Sequence, residues 1–172
     1  QILYEKNSRK KIYPASMSKL MTLYVLFDYL ENNIISLDDK IFISENAWRK
    51  GGAISDSSTM FAEVSSYISV ENIIRGIVIH SGNDACIAIS EAISGSEEIF
   101  SNEMNFYAKK LGMIDTKYIN STGLHDSNHF STPYDMTLLA KSLIRDFPNF
   151  YHYFSEKEFT WNGIFQPNRN NL

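Results

Sequence analysis

Residues 13–22 read Tyr13-Pro14-Ala15-Ser16-Met17-Ser18-Lys19-Leu20-Met21-Thr22. A proline-marked loop passes here into a long apolar run. From Ser16 to about Asn32, the residues Met17, Leu20, Met21, Tyr24, Val25, Leu26, Phe27 and Leu30 cover most of a helix circumference. A helix that is apolar nearly all round belongs inside a core rather than on a surface. This segment is therefore expected to be the central helix of the fold, with Ser16 and Lys19 one turn apart at its mouth.

Working outward, Ile2–Glu5 reads as a short strand followed by a basic turn at Arg9–Lys11. Residues 40–44 alternate like a second strand, and the Gly/Ser-rich stretch Gly51–Thr59 carries no periodicity and reads as a loop. Ser69 is placed to cap a helix that starts at Val70, turns Ile73, Ile74, Ile77 and Val78 inward, and stops near His80. Ser81-Gly82-Asn83 interrupts the apolar pattern before Ala85, Ile87, Ala88 and Ile89 resume it, which predicts a tight link between two buried helices. Ser96-Glu97-Glu98 opens a further helix that Lys109-Lys110 and Gly112 close, with acids at the positive end and bases at the negative end. Thr132-Pro133-Tyr134-Asp135 predicts a capping box with proline at the first helical position, and Pro148 ends that helix. Near the C-terminus, Asn162-Gly163 between apolar residues is a hairpin signal. Helices in the middle and strands at both ends predict a mixed α+β domain over 1–172, an antiparallel sheet assembled from distant segments around a helical cluster.

Composition narrows the function. The 172 residues are 44% hydrophobic and 21% charged, enough for one sizeable core. Sixteen basic residues against twenty acidic ones give a net charge of −4, which leaves no basic footprint for nucleic acid or an anionic membrane. No apolar run approaches the roughly 20 residues that span a bilayer. Cys86 is the single cysteine, so no intrachain disulfide can form. The chain begins at Gln1 with no secretory leader ahead of it, as expected of a processed or excised piece.

A serine hydroxyl is a poor nucleophile at its own pKa and needs a base within hydrogen-bond reach. Ser16 and Lys19 lie on one helical face and can supply that pair. A lysine is useful as a base only if burial or a nearby cation lowers its pKa, and Lys19 enters a strongly apolar helix. The motif alone is weak. The product of 21 serines and 11 lysines over 172 positions gives about 1.3 chance Ser-x-x-Lys matches, and a second match, Ser8–Lys11, lies in the basic turn. Ser-x-Asn also occurs twice, at Ser44-Glu45-Asn46 and Ser81-Gly82-Asn83. The second is the candidate, because polar side chains between buried helices need partners.

Taken together, Pro14-Ala-Ser16-Met-Ser-Lys19, Ser81-Gly82-Asn83-Asp84-Ala-Cys86, and Asn120-Ser-Thr-Gly-Leu124 with Ser131-Thr-Pro-Tyr-Asp135 resemble the D-alanyl-D-alanine carboxypeptidases. These are low-molecular-mass penicillin-binding proteins, of the β-lactamase-like superfamily marked by Ser-x-x-Lys, a Ser-Asp-Asn-type and a Lys-Thr-Gly motif. The resemblance runs in order over nearly the whole chain, including Leu3–Asn7 and Phe159–Gly163. It implies a DD-peptidase fold, incomplete at both ends, with Ser16 as acylated nucleophile and Lys19 as its base. Ser81 would relay a proton to the leaving D-alanine, and Asn83, with the Gly82 turn, would hold the substrate carbonyl or neighbouring backbone. Ser18 is expected to face packing. The implied partners are peptidoglycan stem peptides ending in D-Ala-D-Ala, with β-lactams as covalent inhibitors. No cofactor is implied, and the expected location is the periplasm or outer face of the cytoplasmic membrane of a bacterium. Lys-Thr-Gly itself does not occur; Ser121-Thr122-Gly123 lacks the cation and is expected to be an unrelated loop. The family's third motif is therefore expected beyond Leu172, and the 172 residues alone are expected to be nearly inactive.

Other constellations carry less. His125 and His129 flank Asp126 without a third convincing ligand and read as solvated loop histidines rather than a metal site. His80 abuts Ser81, but adjacent side chains usually point apart, so capping or packing is the expectation. Cys86 reads as a structural thiol, Glu97 and Glu98 as helix-end electrostatics, and Tyr151, Tyr153 and Phe154 as core. Two competing functions are a β-lactamase, for which Glu63 and Glu71 are the candidate hydrolytic acids, and a non-catalytic peptidoglycan-binding module.

Overall fold

A computed structural model describes residues 4–170. Within the expected first strand, Ile2 lies outside the described residues, as does Leu3, while Tyr4 and Glu5 take no strand conformation.

The central helix is as the apolar run predicts. A 3-10 turn, Ala15–Ser18, leads into α1, Lys19–Glu31, in which Lys19, Met21, Thr22 and every residue from Leu23 to Phe27 are buried. Four helices pack around it: α3 (Val70–Val78), α4 (Asn83–Ser94), α5 (Glu97–Lys110) and α6 (Pro133–Asp146). Ser69, Ser96 and Thr132 cap α3, α5 and α6 by accepting hydrogen bonds from the backbone N–H groups of Asn72, Ile99 and Asp135. The capping box at Thr132 is only half formed. Asp135 does not reach back; one of its carboxylate oxygens accepts instead from the Asp115 N–H and the Thr116 hydroxyl.

Strand β1 is shorter than expected, Lys40–Phe42, because Ser44 leaves the strand to cap an additional helix, α2 (Glu45–Gly51), through the Ala47 N–H. The capping serine, the first-turn Glu45 and the last-turn Arg49 and Lys50 were all present in the sequence. Seven mostly polar residues present no apolar stripe, so periodicity does not reveal them. The end of α2 lies hard against the start of α4: a Cβ on Gly51 would sit 2.3 Å from the Asp84 backbone nitrogen. A second 3-10 turn, Ala53–Ser55, interrupts the stretch expected to be wholly loop.

The strands do not join into one sheet. Among the described residues there are two antiparallel pairs: β1 with β2 (Tyr67–Ser69), in the register Lys40↔Ser69, and the hairpin β3 (Glu158–Trp161) with β4 (Ile164–Pro167). Asn162 and Gly163 both have positive φ, 48° and 73°, as a type I′ hairpin turn requires. Isolated bridges pair Ile12 with Ser131 and Lys117 with Phe130, so residues 130–131 are held on both sides and the intervening loop closes over the start of α1.

Removing the Thr132 cap orphans a buried N–H at the start of α6. Thr132→Ala is expected to cost about 1 kcal/mol. Taking a urea dependence of about 2 kcal/mol per molar, the unfolding midpoint should fall by roughly 0.5 M; an unchanged midpoint contradicts this.

Candidate active site

The Ala15–Ser18 turn delivers two side chains with opposite environments. Ser16 is exposed, whereas Lys19 is buried at 4% exposure, yet its Nζ donates to Ser16 Oγ at 3.2 Å. Ala15 has φ of +48°, a strained value that aims the turn, and therefore Ser16, outward. Burial lowers the pKa of the Lys19 ammonium from its ordinary 10.5, and the Arg169 guanidinium adds to this. Among the described residues Lys19 makes no salt bridge. The Cys86 thiol, pushed up to about 12 by its own burial, is uncharged near neutral pH and offers no counter-charge. Asp84 is the negative group that works in the other direction.

The second polar partner of Lys19 was not foreseen. Its Nζ donates to the Thr122 carbonyl at 2.7 Å, so Ser121-Thr122-Gly123, read as an unrelated loop, contacts the buried amine directly. One turn further along α1, the Thr22 hydroxyl donates to the Ser121 carbonyl at 2.7 Å. Two consecutive carbonyls of the loop thus face α1. Asn120 Oδ1 closes the loop by accepting from the Gly123 N–H and the Thr122 hydroxyl. Gly123 has φ of +82°, and a Cβ there would fall 1.8 Å from the Ala15 carbonyl oxygen. Since these contacts run through backbone carbonyls, side-chain identity gives no signal for them.

His129 corrects a further expectation. It is buried rather than solvated, at 2% exposure. Nδ1 accepts from the Ile119 N–H at 3.3 Å, which leaves the proton on Nε2, where it is donated to Ser18 Oγ at 2.8 Å. Ser18 packs inward as expected and ties the Ser16 turn to the loop. Among the described residues no group of three or more His, Cys, Asp or Glu side chains could hold a metal ion.

Ser16, Lys19 and Ser81 line one cleft, with Leu20, Val78, Phe154 and Arg169. Ser81 itself, not Gly82, carries the positive φ of the second turn, +56°, and its buried Oγ has no hydrogen-bond partner among the described residues. Gly82 is needed for space: a Cβ would meet Asp84 Oδ1 at 2.9 Å and the Met60 backbone nitrogen at 3.0 Å. Asn83 and Gly82 are not on the cleft wall. Asn83 Nδ2 donates to Ser57 Oγ at 2.9 Å and its Oδ1 is buried without a partner. Asp84, fully buried, was missed as a framework residue. Its carboxylate accepts from the Thr59 hydroxyl and the Met60 and Ala62 N–H groups, fixing residues 59–62 against the start of α4. His80 also takes a packing role, with Nε2 2.9 Å from the Phe159 carbonyl and its ring against Phe159.

The rival motifs are structural. Ser44 and Asn46 both bond Glu91, and Ser8 lies in an exposed turn bonded to Glu5. Glu71 is engaged by Arg75 and Tyr153, while Glu63 is exposed, and neither lines the cleft. Of the aromatic trio, Tyr153 is core, Phe154 is half-buried on the cleft wall and Tyr151 is exposed.

A family model described as D-alanyl-D-alanine carboxypeptidase matches residues 1–172. The D-alanyl-D-alanine carboxypeptidase DacC of Escherichia coli is 44% identical over 173 residues, covering all of this chain and 43% of that protein. The chain thus spans less than half the length of the curated relatives it matches. Penicillin binding protein 6B from Escherichia coli superposes with a TM-score of 0.95 at 40% identity, over all of this chain and 55% of that one. Penicillin-Binding Protein D2 from Listeria monocytogenes, solved in its ampicillin-bound form, superposes with a TM-score of 0.78 at 29% identity, over all of this chain and 68% of that one.

Burial also keeps the His80 and His129 imidazoles below their ordinary 6.5. Between the folded value and 6.5 the unfolded chain binds more protons, so stability falls as pH drops through that window. The urea midpoint is expected to be lower at pH 5 than at pH 7.5, and His129→Gln should shrink the difference. An equal pH dependence in that variant contradicts the assignment.

Proposed function

Because the chain belongs to the D-alanyl-D-alanine carboxypeptidase family, we propose that the protein removes the terminal D-alanine from peptidoglycan stem peptides through an ester on Ser16. The observation that carries this is a buried amine of lowered pKa, Lys19 Nζ, 3.2 Å from an exposed hydroxyl and, among the described residues, without a carboxylate partner. In the neutral amine one N–H is given to the Thr122 carbonyl, and the lone pair is free to accept the Ser16 hydroxyl proton.

Ser16 Oγ then attacks the carbonyl carbon of the penultimate D-alanine, and the proton passes to Lys19. Collapse of the tetrahedral intermediate breaks the peptide bond. The leaving amine of D-alanine takes a proton from the Lys19 ammonium, relayed by the Ser81 hydroxyl, whose Oγ faces no other partner. Water hydrolyses the ester, releasing the shortened peptide and restoring Ser16. Asn83 contributes by bonding the Ser57 hydroxyl and so bracing the Gly82 turn, a framework role rather than a contact with substrate. A β-lactam carbonyl would acylate the same hydroxyl, and the ampicillin-bound relative supports that extension. Since peptidoglycan lies outside the cytoplasmic membrane, the protein would act on its outer face or in the periplasm; its relatives come from bacteria. Among the described residues no helix is long and apolar enough to cross a membrane.

A fluorescent penicillin should attach to Ser16 of the full-length gene product, persist for many minutes, and fail to attach to Ser16→Ala. Rapid turnover of the label favours a β-lactamase, and absence of any adduct favours a non-catalytic wall-binding module. The acylation rate should rise with pH to a midpoint below 10.5, because only the unprotonated Lys19 can accept the proton.

A further inference from the structure

The loop that carries the Thr122 carbonyl is held from its far side by a side chain that touches neither Ser16 nor Lys19. Glu97 opens α5, and a single carboxylate oxygen, Oε1, accepts from both the Ser121 N–H at 3.0 Å and the Ser121 hydroxyl at 2.7 Å. Ser121 is thereby bracketed: its donors go to Glu97 and its carbonyl to the Thr22 hydroxyl of α1. The next residue supplies the carbonyl 2.7 Å from Lys19 Nζ. Helix-end electrostatics alone would be satisfied by a carboxylate pointing into water, as Glu98 is exposed beside it.

We propose that Glu97 is a positioning residue for Lys19, setting the place of the Thr122 carbonyl that receives the Lys19 N–H and so aiming the amine's lone pair at Ser16. This rests on the reading of Ser16 and Lys19 as nucleophile and base. The same carbonyl stabilises the ammonium that forms when Ser16 gives up its proton, inside a site whose burial otherwise disfavours that charge. What Glu97 contributes is its acceptor geometry. A glutamine oxygen can accept the same two hydrogen bonds, whereas an alanine releases Ser121 and lets the carbonyl drift.

The test is the pH–rate profile for acylation of the full-length protein by a fluorescent penicillin, compared among wild type, Glu97→Ala and Glu97→Gln. Glu97→Ala should lower the plateau rate on the order of tenfold to a hundredfold, the scale of a misplacement near 1 Å. It should also move the midpoint to lower pH, because the charged amine loses an acceptor. Glu97→Gln should restore most of the plateau and the midpoint. A purely structural Glu97 would lower the folding midpoint without moving the pH profile. A plateau within twofold of wild type in Glu97→Ala, or a glutamine variant no better than alanine, overturns the proposal. Should wild type form no adduct at Ser16, the functional reading fails by itself. The positioning role is then decided by the Lys19 titration midpoint, read by NMR with 13C at Cε: lower in Glu97→Ala than in wild type supports it, and equal overturns it.

Discussion

An ammonium group left in an apolar helix is the constraint on which the site depends. Lys19 enters α1 beneath a nearly complete apolar surface, where keeping a full charge costs far more than it would in water. Burial lowers the pKa of the amine, and the fold supplies one carbonyl, rather than a carboxylate, as its partner. A carboxylate would have paired the charge and raised the pKa, keeping the amine protonated near neutral pH and unable to accept a proton. A carbonyl accepts one N–H and leaves the lone pair available.

Much of the surrounding structure serves that arrangement. The strained φ at Ala15 turns Ser16 to solvent while Lys19 stays inside. Gly123 brings the 120–124 loop into contact with the same turn, and His129 pins that turn from beneath through Ser18. α2 and Asp84 fix the start of α4, and the strained Ser81 just before it lines the cleft that Ser16 and Lys19 share. Three short turns of non-regular backbone therefore converge at one end of the helical cluster. Their common support is the rigid packing of α1 against α3, α4, α5 and α6.

The helices and the hairpin were legible because their signals are local. Apolar periodicity gave α1 and α3, serine and threonine caps gave the starts of α3, α5 and α6, and Asn162-Gly163 gave the turn. Short α2 was not, since its polar residues show no stripe. The division into two small antiparallel pairs was not either, because strand partners are chosen by tertiary contacts and not by alternation. At the site, Ser16, Lys19 and Ser81 could be named from spacing and context. The Thr122 carbonyl could not, since any residue presents a carbonyl. His129 and Glu97 were placed by their neighbours in sequence, polar loop and helix end, although what decides their roles is contact with Ser18 and Ser121, 111 and 24 residues away.

The central claim concerns one proton. With 13C at Cε of the 11 lysines, an NMR titration of the folded chain reads each amine directly. One resonance, identified by its loss in Lys19→Met, should titrate below the ordinary 10.5. A Lys19 midpoint at or above 10.5 would mean the amine stays charged beside Ser16, and it would contradict the account.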